Sequence, residues 1–96
     1  MKNYNEIRIE NMIGHSGNKI ANQFLVHTPN EGVYFKSYNS IIAFKPYGTG
    51  QIILDEKYWD FSTTTSKYRN LFLMEDKKTT AKKIKSGEYK LENLNK

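Results

Sequence analysis

Apolar and polar residues follow a helical period in the segment 59–73, which also holds the only tryptophan of the chain. Residues 62–66 all carry hydroxyl groups, and one of them can cap the free N–H groups of a first helical turn. On a helical wheel, Tyr68, Leu71 and Phe72 share one arc, whereas Lys67 and Arg69 fall outside it. The pattern predicts a short helix with a buried apolar face and a basic rim. Trp59 and Phe61 are expected to enter the core just before it.

A period of two residues, which is typical of strands, begins the chain. In residues 5–13 the side chains of Ile7, Ile9 and Ile13 are in phase, so we expect a half-buried first strand. The segment 14–19 contains two glycines and predicts a loop.

Two turn segments and the short connection Asn39-Ser40 between them then separate four apolar runs. One turn segment holds Pro29, Asn30 and Gly32, and the other holds Gly48 and Gly50. Such segments between apolar runs predict hairpins. The predicted strands of this meander are 24–27, 33–38, 41–46 and 51–56.

The phase of the first two of these runs predicts how the meander is covered. Phe24, Val26, Val33 and Phe35 share one phase within their strands, which indicates an apolar face. An apolar sheet face needs a covering layer, and the helix that follows Trp59 is the strongest candidate.

A second short helix is predicted near the end of the chain. Thr79 or Thr80 can cap its start, and Gly87 can adopt the left-handed conformation at its end. Tyr89 and Leu91 then alternate with charged residues and predict a last edge strand. The expected fold class is α+β, an antiparallel β-meander of four to six strands covered on one face by one or two short helices.

Length and charge distribution indicate the number of domains and the kind of partner to expect. Ninety-six residues suit a single domain, and the net charge is +5. Residues 1–76 balance to zero, whereas residues 77–96 carry seven lysines against Glu88 and Glu92. Such basic asymmetry favours a polyanionic partner, with a solvated lysine surface as the alternative. No run approaches membrane-spanning length, so we expect no membrane partner and a cytoplasmic location in a host cell.

Two surfaces are candidate contact sites. In Tyr34, Lys36 and Tyr38, aromatic rings and a cation alternate, as on sheets that stack single-stranded nucleic acid, although second-face packing explains the same pattern. The other candidate is the basic surface of the two predicted helices, which comprises Lys77, Lys78, Lys82, Lys83, Lys85, Lys67 and Arg69.

The residues that usually carry catalysis form no recognisable constellation. The chain has no cysteine, and His15 and His27 are far apart in sequence. The serines show no nucleophile-elbow pattern. We therefore expect no catalytic residues, no metal, no cofactor and no enzymatic activity.

The stretches Val33 to Ala43, Tyr58 to Leu73 and Lys83 to Tyr89 form a composite pattern. In this pattern the chain resembles a family of small uncharacterised proteins encoded by phages and plasmids, over roughly residues 20 to 95. The resemblance implies an origin on a mobile genetic element and transfers no functional residue. Small proteins of such elements often block host defences, so the analogy implies a counter-defence inhibitor of the anti-CRISPR kind.

Three hypotheses follow from these observations. The leading one is a non-enzymatic accessory protein that binds a host nuclease or nucleoprotein complex through the basic surface. The second is a module that binds single-stranded DNA or RNA directly through the aromatic sheet face. The third is a small enzyme of unrecognised type.

Overall fold

The computed structural model describes residues 7–96 and confirms the α+β class. Six strands form one sheet in the order β1-β2-β3-β4-β5-β6, and every neighbouring pair is antiparallel except β5 and β6, which are parallel. The two helices lie between β5 and β6 in the chain. The elements are β1 Arg8–Ile13, β2 Lys19–His27, β3 Gly32–Ser37, β4 Ser40–Pro46, β5 Ile53–Asp55, α1 Thr63–Leu73, α2 Lys77–Ser86 and β6 Lys90–Glu92.

The strand register corrects the predicted faces of the meander. Phe24 pairs with Lys36, Leu25 with Phe35, and Val26 with Tyr34. Paired residues share a face, so Leu25 lies with Phe35 and the prediction that Phe24 and Val26 do so is wrong. The predicted alternation within each strand is correct. The turn between β2 and β3, however, sets which residues of the two strands lie opposite each other. This turn is closed by Thr28, whose hydroxyl donates to the Gly32 carbonyl and accepts from the Gly32 N–H.

The core lies between the sheet and the helices. Phe35, Ala43 and Leu54 are fully buried and occupy paired positions on β3, β4 and β5. Phe72 of α1 covers them, and its ring is 5.7 Å from that of Phe35. We call this covered side the helix-side face and the opposite side the open face. Tyr89 completes the core from the C-terminal segment.

Helix α1 begins as predicted but is rotated from the predicted orientation. The Ser62 hydroxyl caps it by accepting from the Thr65 N–H at 3.1 Å. The buried residues are Thr65, Arg69, Phe72 and Leu73, which follow the i, i+4, i+7, i+8 spacing of one helical face. The predicted basic rim is therefore wrong at Arg69, and Leu71 is half exposed.

The aromatic residues before α1 contribute unequally to the core. Trp59 is partly buried against the core cluster, as expected. Phe61 has 67% of its surface exposed, so its predicted place in the core is wrong. Its ring instead packs edge-on against Tyr58 at 5.3 Å.

Strand β1 confirms the predicted strand but not its burial. Ile7, Ile9 and Ile13 are 57%, 64% and 55% exposed, and Ile9 pairs with Val26 on the open face, opposite the face that holds the buried Phe35. The part of the predicted strand that precedes Ile7 lies outside the described residues.

Helix α2 begins at Lys77, three or four residues earlier than a cap at Thr79 or Thr80 predicts. The cap is Asp76, whose carboxylate accepts from the Thr79 N–H at 2.8 Å, and neither Thr79 nor Thr80 has that role. Thr80 is instead fully buried. Gly87 ends the helix with a φ of 88°, as predicted. Within residues 7–96, neither helix is long and apolar enough to cross a membrane.

Candidate nucleic-acid interface

The exposed face of α2 carries three lysines that we call the lysine stripe: Lys78, Lys82 and Lys85. Their spacing of four and three residues places them on one side of the helix, away from the buried Thr80 and the partly buried Ile84. All three are exposed, and within residues 7–96 none of them forms an ion pair. The stripe spans two helical turns, about 10 Å.

The structure separates the other predicted basic residues from the stripe. Lys77 binds Asp60 at 2.8 Å, and Lys83 binds Glu75 at 2.8 Å. Each of these lysines is therefore neutralised within the chain. Of the seven residues of the predicted basic surface, these two lysines and Arg69 form ion pairs with acidic residues of the described chain.

Arg69 has no surface to offer to a ligand, because its side chain is fully buried. Its guanidinium donates to the Trp59 carbonyl, to the Ser66 hydroxyl and, at 2.8 Å, to the Asn70 side-chain oxygen. Burial lowers the pKa of Arg69, and nearby Asp60 opposes that shift. An arginine with these internal partners stabilises the fold, so its predicted place on the exposed basic surface is wrong.

Lys67 is exposed and does not belong to the lysine stripe. Together with Lys77 it lines a groove of about 590 Å³ beside the first turn of α1. Asp60 lines the same groove, and a hydrogen bond from Lys77 is the main cause of its lowered pKa. The groove therefore combines two cations with one carboxylate and lacks the uniform positive charge of the lysine stripe.

Glu75 anchors α2 and was not singled out by the sequence. Its carboxylate accepts from the Thr80 hydroxyl at 2.6 Å, from Lys83 at 2.8 Å and from the Tyr89 hydroxyl at 3.0 Å. Burial raises the pKa of Glu75, but these hydrogen bonds outweigh burial and the net pKa is lowered. The anchor fixes the orientation of α2 and thus turns Lys82, next to Lys83, outward. In the sequence, Glu75 is recognisable only as an acidic residue that precedes a lysine-rich helix.

The open face of the sheet is the second candidate surface. Tyr34 and Phe44 occupy paired positions, with ring centres 4.6 Å apart. The Lys36 ammonium lies 4.9 Å from the centre of the Phe24 ring. Phe24 and Phe44 were missed because single-strand alternation does not show which residues the pairing brings together.

Tyr38 departs from the predicted row with Tyr34 and Lys36. Strand β3 ends at Ser37, and Tyr38 lies in the turn to β4 with a φ of 55°. Its N–H donates to the Asn22 carbonyl at 2.7 Å. The tight turn therefore breaks the alternation at the last of the three residues.

Comparison with known proteins gives a family but no activity. Residues 7–88 match a family of unknown function, DUF8033. No curated protein and no solved structure matches the chain. The match spans β1 to the end of α2 and thus includes both candidate surfaces. The chain belongs to the DUF8033 family of unknown function.

Proposed function

We propose that this protein is a non-enzymatic binding protein that attaches to a nucleoprotein by contacting the phosphate backbone of its nucleic acid. The lysine stripe makes this contact. The observation that carries the proposal is the exposure of Lys78, Lys82 and Lys85 on one helix face without an ion-pair partner among residues 7–96. Rows of exposed lysines suit phosphate contacts, which fix position and carry no sequence information.

The acidic residues around α2 do not neutralise the stripe. Asp60 and Glu75 are each paired with a lysine outside the stripe, and Asp76 caps the helix. The pKa of Asp76 is lowered chiefly by the backbone hydrogen bond from Thr79 and to a smaller extent by the charge of Lys78, so its negative charge is held at the start of α2. The positive charge of the stripe thus remains available along the rest of the helix.

A specific form of this proposal follows from the resemblance to phage and plasmid proteins. A small basic protein of such an element can inhibit a host nuclease by occupying its nucleic-acid channel or by holding its guide-bound form inactive. The stripe would then contact the guide or target strand of the complex. This form makes the protein a counter-defence inhibitor and requires no catalytic residue.

The direct test is binding to fluorescent DNA and RNA oligonucleotides, single- and double-stranded, over a series of salt concentrations. The variant replaces the stripe by Lys78→Gln, Lys82→Gln and Lys85→Gln. Each phosphate contact contributes about 0.7 (single strands) or 0.9 (duplex) to the slope of log affinity against log salt. The slope of the variant should therefore be smaller by roughly 2 on single strands or 3 on duplexes.

A matched control removes the same charge elsewhere. Lys19→Gln, Lys57→Gln and Lys96→Gln replace three exposed lysines outside α2 and give the same net charge as the stripe variant. This control should keep most of the wild-type affinity and slope. If both triple variants lose affinity equally, the effect is one of net charge and the stripe is not the site. If the wild-type protein binds no nucleic acid, direct phosphate contact is ruled out.

The open face supports a second candidate, direct binding of single-stranded nucleic acid by base stacking. Tyr34, Phe44 and Phe24 place three rings beside Lys36 on a face that neither helix covers. Tyr34→Leu keeps an apolar side chain but removes a stacking ring. It should weaken single-strand binding by about 1 to 3 kcal/mol without changing the salt slope, which distinguishes this candidate from the stripe.

A further inference from the structure

Strand β1 is an edge strand with unusual exposure of apolar residues. Ile7, Ile9 and Ile13 are all more than half exposed, and no described strand pairs with the outer edge of β1. The opposite edge is β6, which has three residues and carries the charged Lys90 and Glu92. Short, charged edges resist pairing with another chain, whereas longer edges with exposed isoleucines favour it.

The sequence of β1 is complementary to itself when two copies run antiparallel. With Ile9 of one copy opposite Ile9 of the other, Arg8 faces Glu10 and Glu10 faces Arg8 across the two-fold axis. Within one copy the Glu10 carboxylate already contacts His27 at 2.9 Å and Arg8 at 3.8 Å, so Arg8 of the second copy adds a further cation beside it. Directly opposite residues of opposite charge stabilise a strand pair, and like charges destabilise it. Ile9 lies on the open face, opposite Val26, while Arg8 and Glu10 lie on the helix-side face.

Two-fold registers centred on Arg8, Glu10 or Asn11 are less favourable. A register centred on Arg8 or on Glu10 places like charges directly opposite each other. A register centred on Asn11 brings in the irregular pairing between Asn11 and Ile13 and forms no ion pair. The register centred on Ile9 uses the regular part of β1 that precedes this irregularity.

We propose that this protein forms a two-fold homodimer in which β1 of one copy pairs antiparallel with β1 of a second copy, with Ile9 opposite Ile9. The pairing joins two six-stranded sheets into one. On the open face, the cross-strand row of Ile9, Val26, Tyr34, Phe44 and Ile53 then continues into the second copy. The contact is small for a protein interface, so we expect association that depends on concentration.

This dimer is independent of the proposed function, because the lysine stripe lies on α2 and not on β1. Its first test is a charge exchange read out by light scattering of the purified protein. Arg8→Glu alone and Glu10→Arg alone each place like charges across the axis and should give the monomer mass of 11.3 kDa. An equimolar mixture of the two variants restores opposite charges at both positions and should give twice that mass.

A disulfide test measures the register directly, since the chain contains no cysteine. Directly opposite residues of antiparallel strands have Cα atoms about 4.5 to 5.5 Å apart, which a disulfide can span. Oxidised Ile9→Cys should therefore run as a covalent dimer on a non-reducing gel. Ile13→Cys, equally exposed but not opposite itself, should remain mostly monomeric.

Three results would overturn the proposal. The first is a monomer mass for the wild-type protein at the highest soluble concentration. The second is a dimer that both single charge variants retain. The third is equal cross-linking of Ile9→Cys and Ile13→Cys, which would indicate random collision or another contact. Thermal unfolding of each variant checks that loss of the dimer does not reflect loss of the fold.

Discussion

The guanidinium of Arg69 lies 5.2 Å from the centre of the Trp59 ring and donates a hydrogen bond to the Trp59 carbonyl. This contact joins the segment before α1 to the buried face of the helix. It explains how a charged residue occupies the second turn of that face, a position that an apolar residue would normally take. The charge is compensated by hydrogen bonds and by the π face of the ring.

Replacing Arg69 should destabilise the protein, although the sequence predicts it as part of an exposed basic surface. Arg69→Lys keeps the charge but loses the planar arrangement of donors that reaches Trp59 and Asn70 together. We expect the free energy of unfolding to fall by about 2 kcal/mol, since each hydrogen bond to a charged group contributes about 1.5 to 3 kcal/mol. Urea denaturation measures the change. Lys67→Ala, at an exposed position of the same helix, should change it by at most about 0.5 kcal/mol, and equal effects would refute the structural role of Arg69.

Two phenylalanines, one just before α1 and one in its last turn, should respond differently to truncation. Phe72 is 8% exposed and stacks on Phe35, so Phe72→Ala should lower the free energy of unfolding by about 3 to 5 kcal/mol. Phe61 is mostly exposed, so Phe61→Ala removes one edge-on contact with Tyr58 and should cost about 1 kcal/mol. Thermal or urea unfolding of both variants checks this. Similar losses would mean that Phe61 belongs to the core after all.

The sequence predicted the elements of this fold better than their orientations. The strands, both helices, Ser62 within the capping segment and Gly87 at the end of α2 follow from local patterns of hydroxyls, glycines and alternating residues. These signals act within a few residues along the chain. The strand faces depend on register between β2 and β3, and the turn between these strands sets that register.

The candidate site was predictable in part for a related reason. Lysine composition shows where charge accumulates, but not which lysines have acidic partners. Lys83 lies next to Lys82 in sequence, yet Lys83 binds Glu75 while Lys82 faces outward. The sequence predicts Arg69 at the surface because charged side chains are rarely buried, and only the tertiary structure brings the Trp59 carbonyl within its reach.

Glu75 should make stability depend on pH in the acid range. Its pKa is lowered in the folded protein because hydrogen bonds from Lys83, Thr80 and Tyr89 outweigh the effect of burial. A lowered folded pKa means that the stabilisation is complete above the unfolded pKa and is lost as the pH falls through the folded pKa. Wild type should therefore be more stable than Glu75→Gln at pH 7, and the difference should shrink in acid.

Urea denaturation of both proteins at several pH values between 7 and 3 measures this difference. Glu88→Gln is the matched control, because Glu88 is exposed and close to the end of the same helix. That control should show almost no pH-dependent difference from wild type. A constant difference between wild type and Glu75→Gln at all pH values would mean that shape, and not charge, gives Glu75 its role.

Gln23 offers a substitution that should stabilise the protein. It is fully buried on β2, opposite Ser37, and neither of its side-chain amide atoms has a hydrogen-bond partner among residues 7–96. Burying an unpaired amide costs about 1 to 3 kcal/mol, so Gln23→Met, of similar length and without the amide, should raise the free energy of unfolding by about 1 to 2 kcal/mol. Gln51→Met is the matched control of opposite sign, because the Gln51 amide donates to the Gly87 carbonyl at 2.8 Å and its loss should cost about 1 kcal/mol. Urea midpoints at unchanged slope measure both effects, and a less stable Gln23→Met would show that the buried amide is hydrogen-bonded in solution.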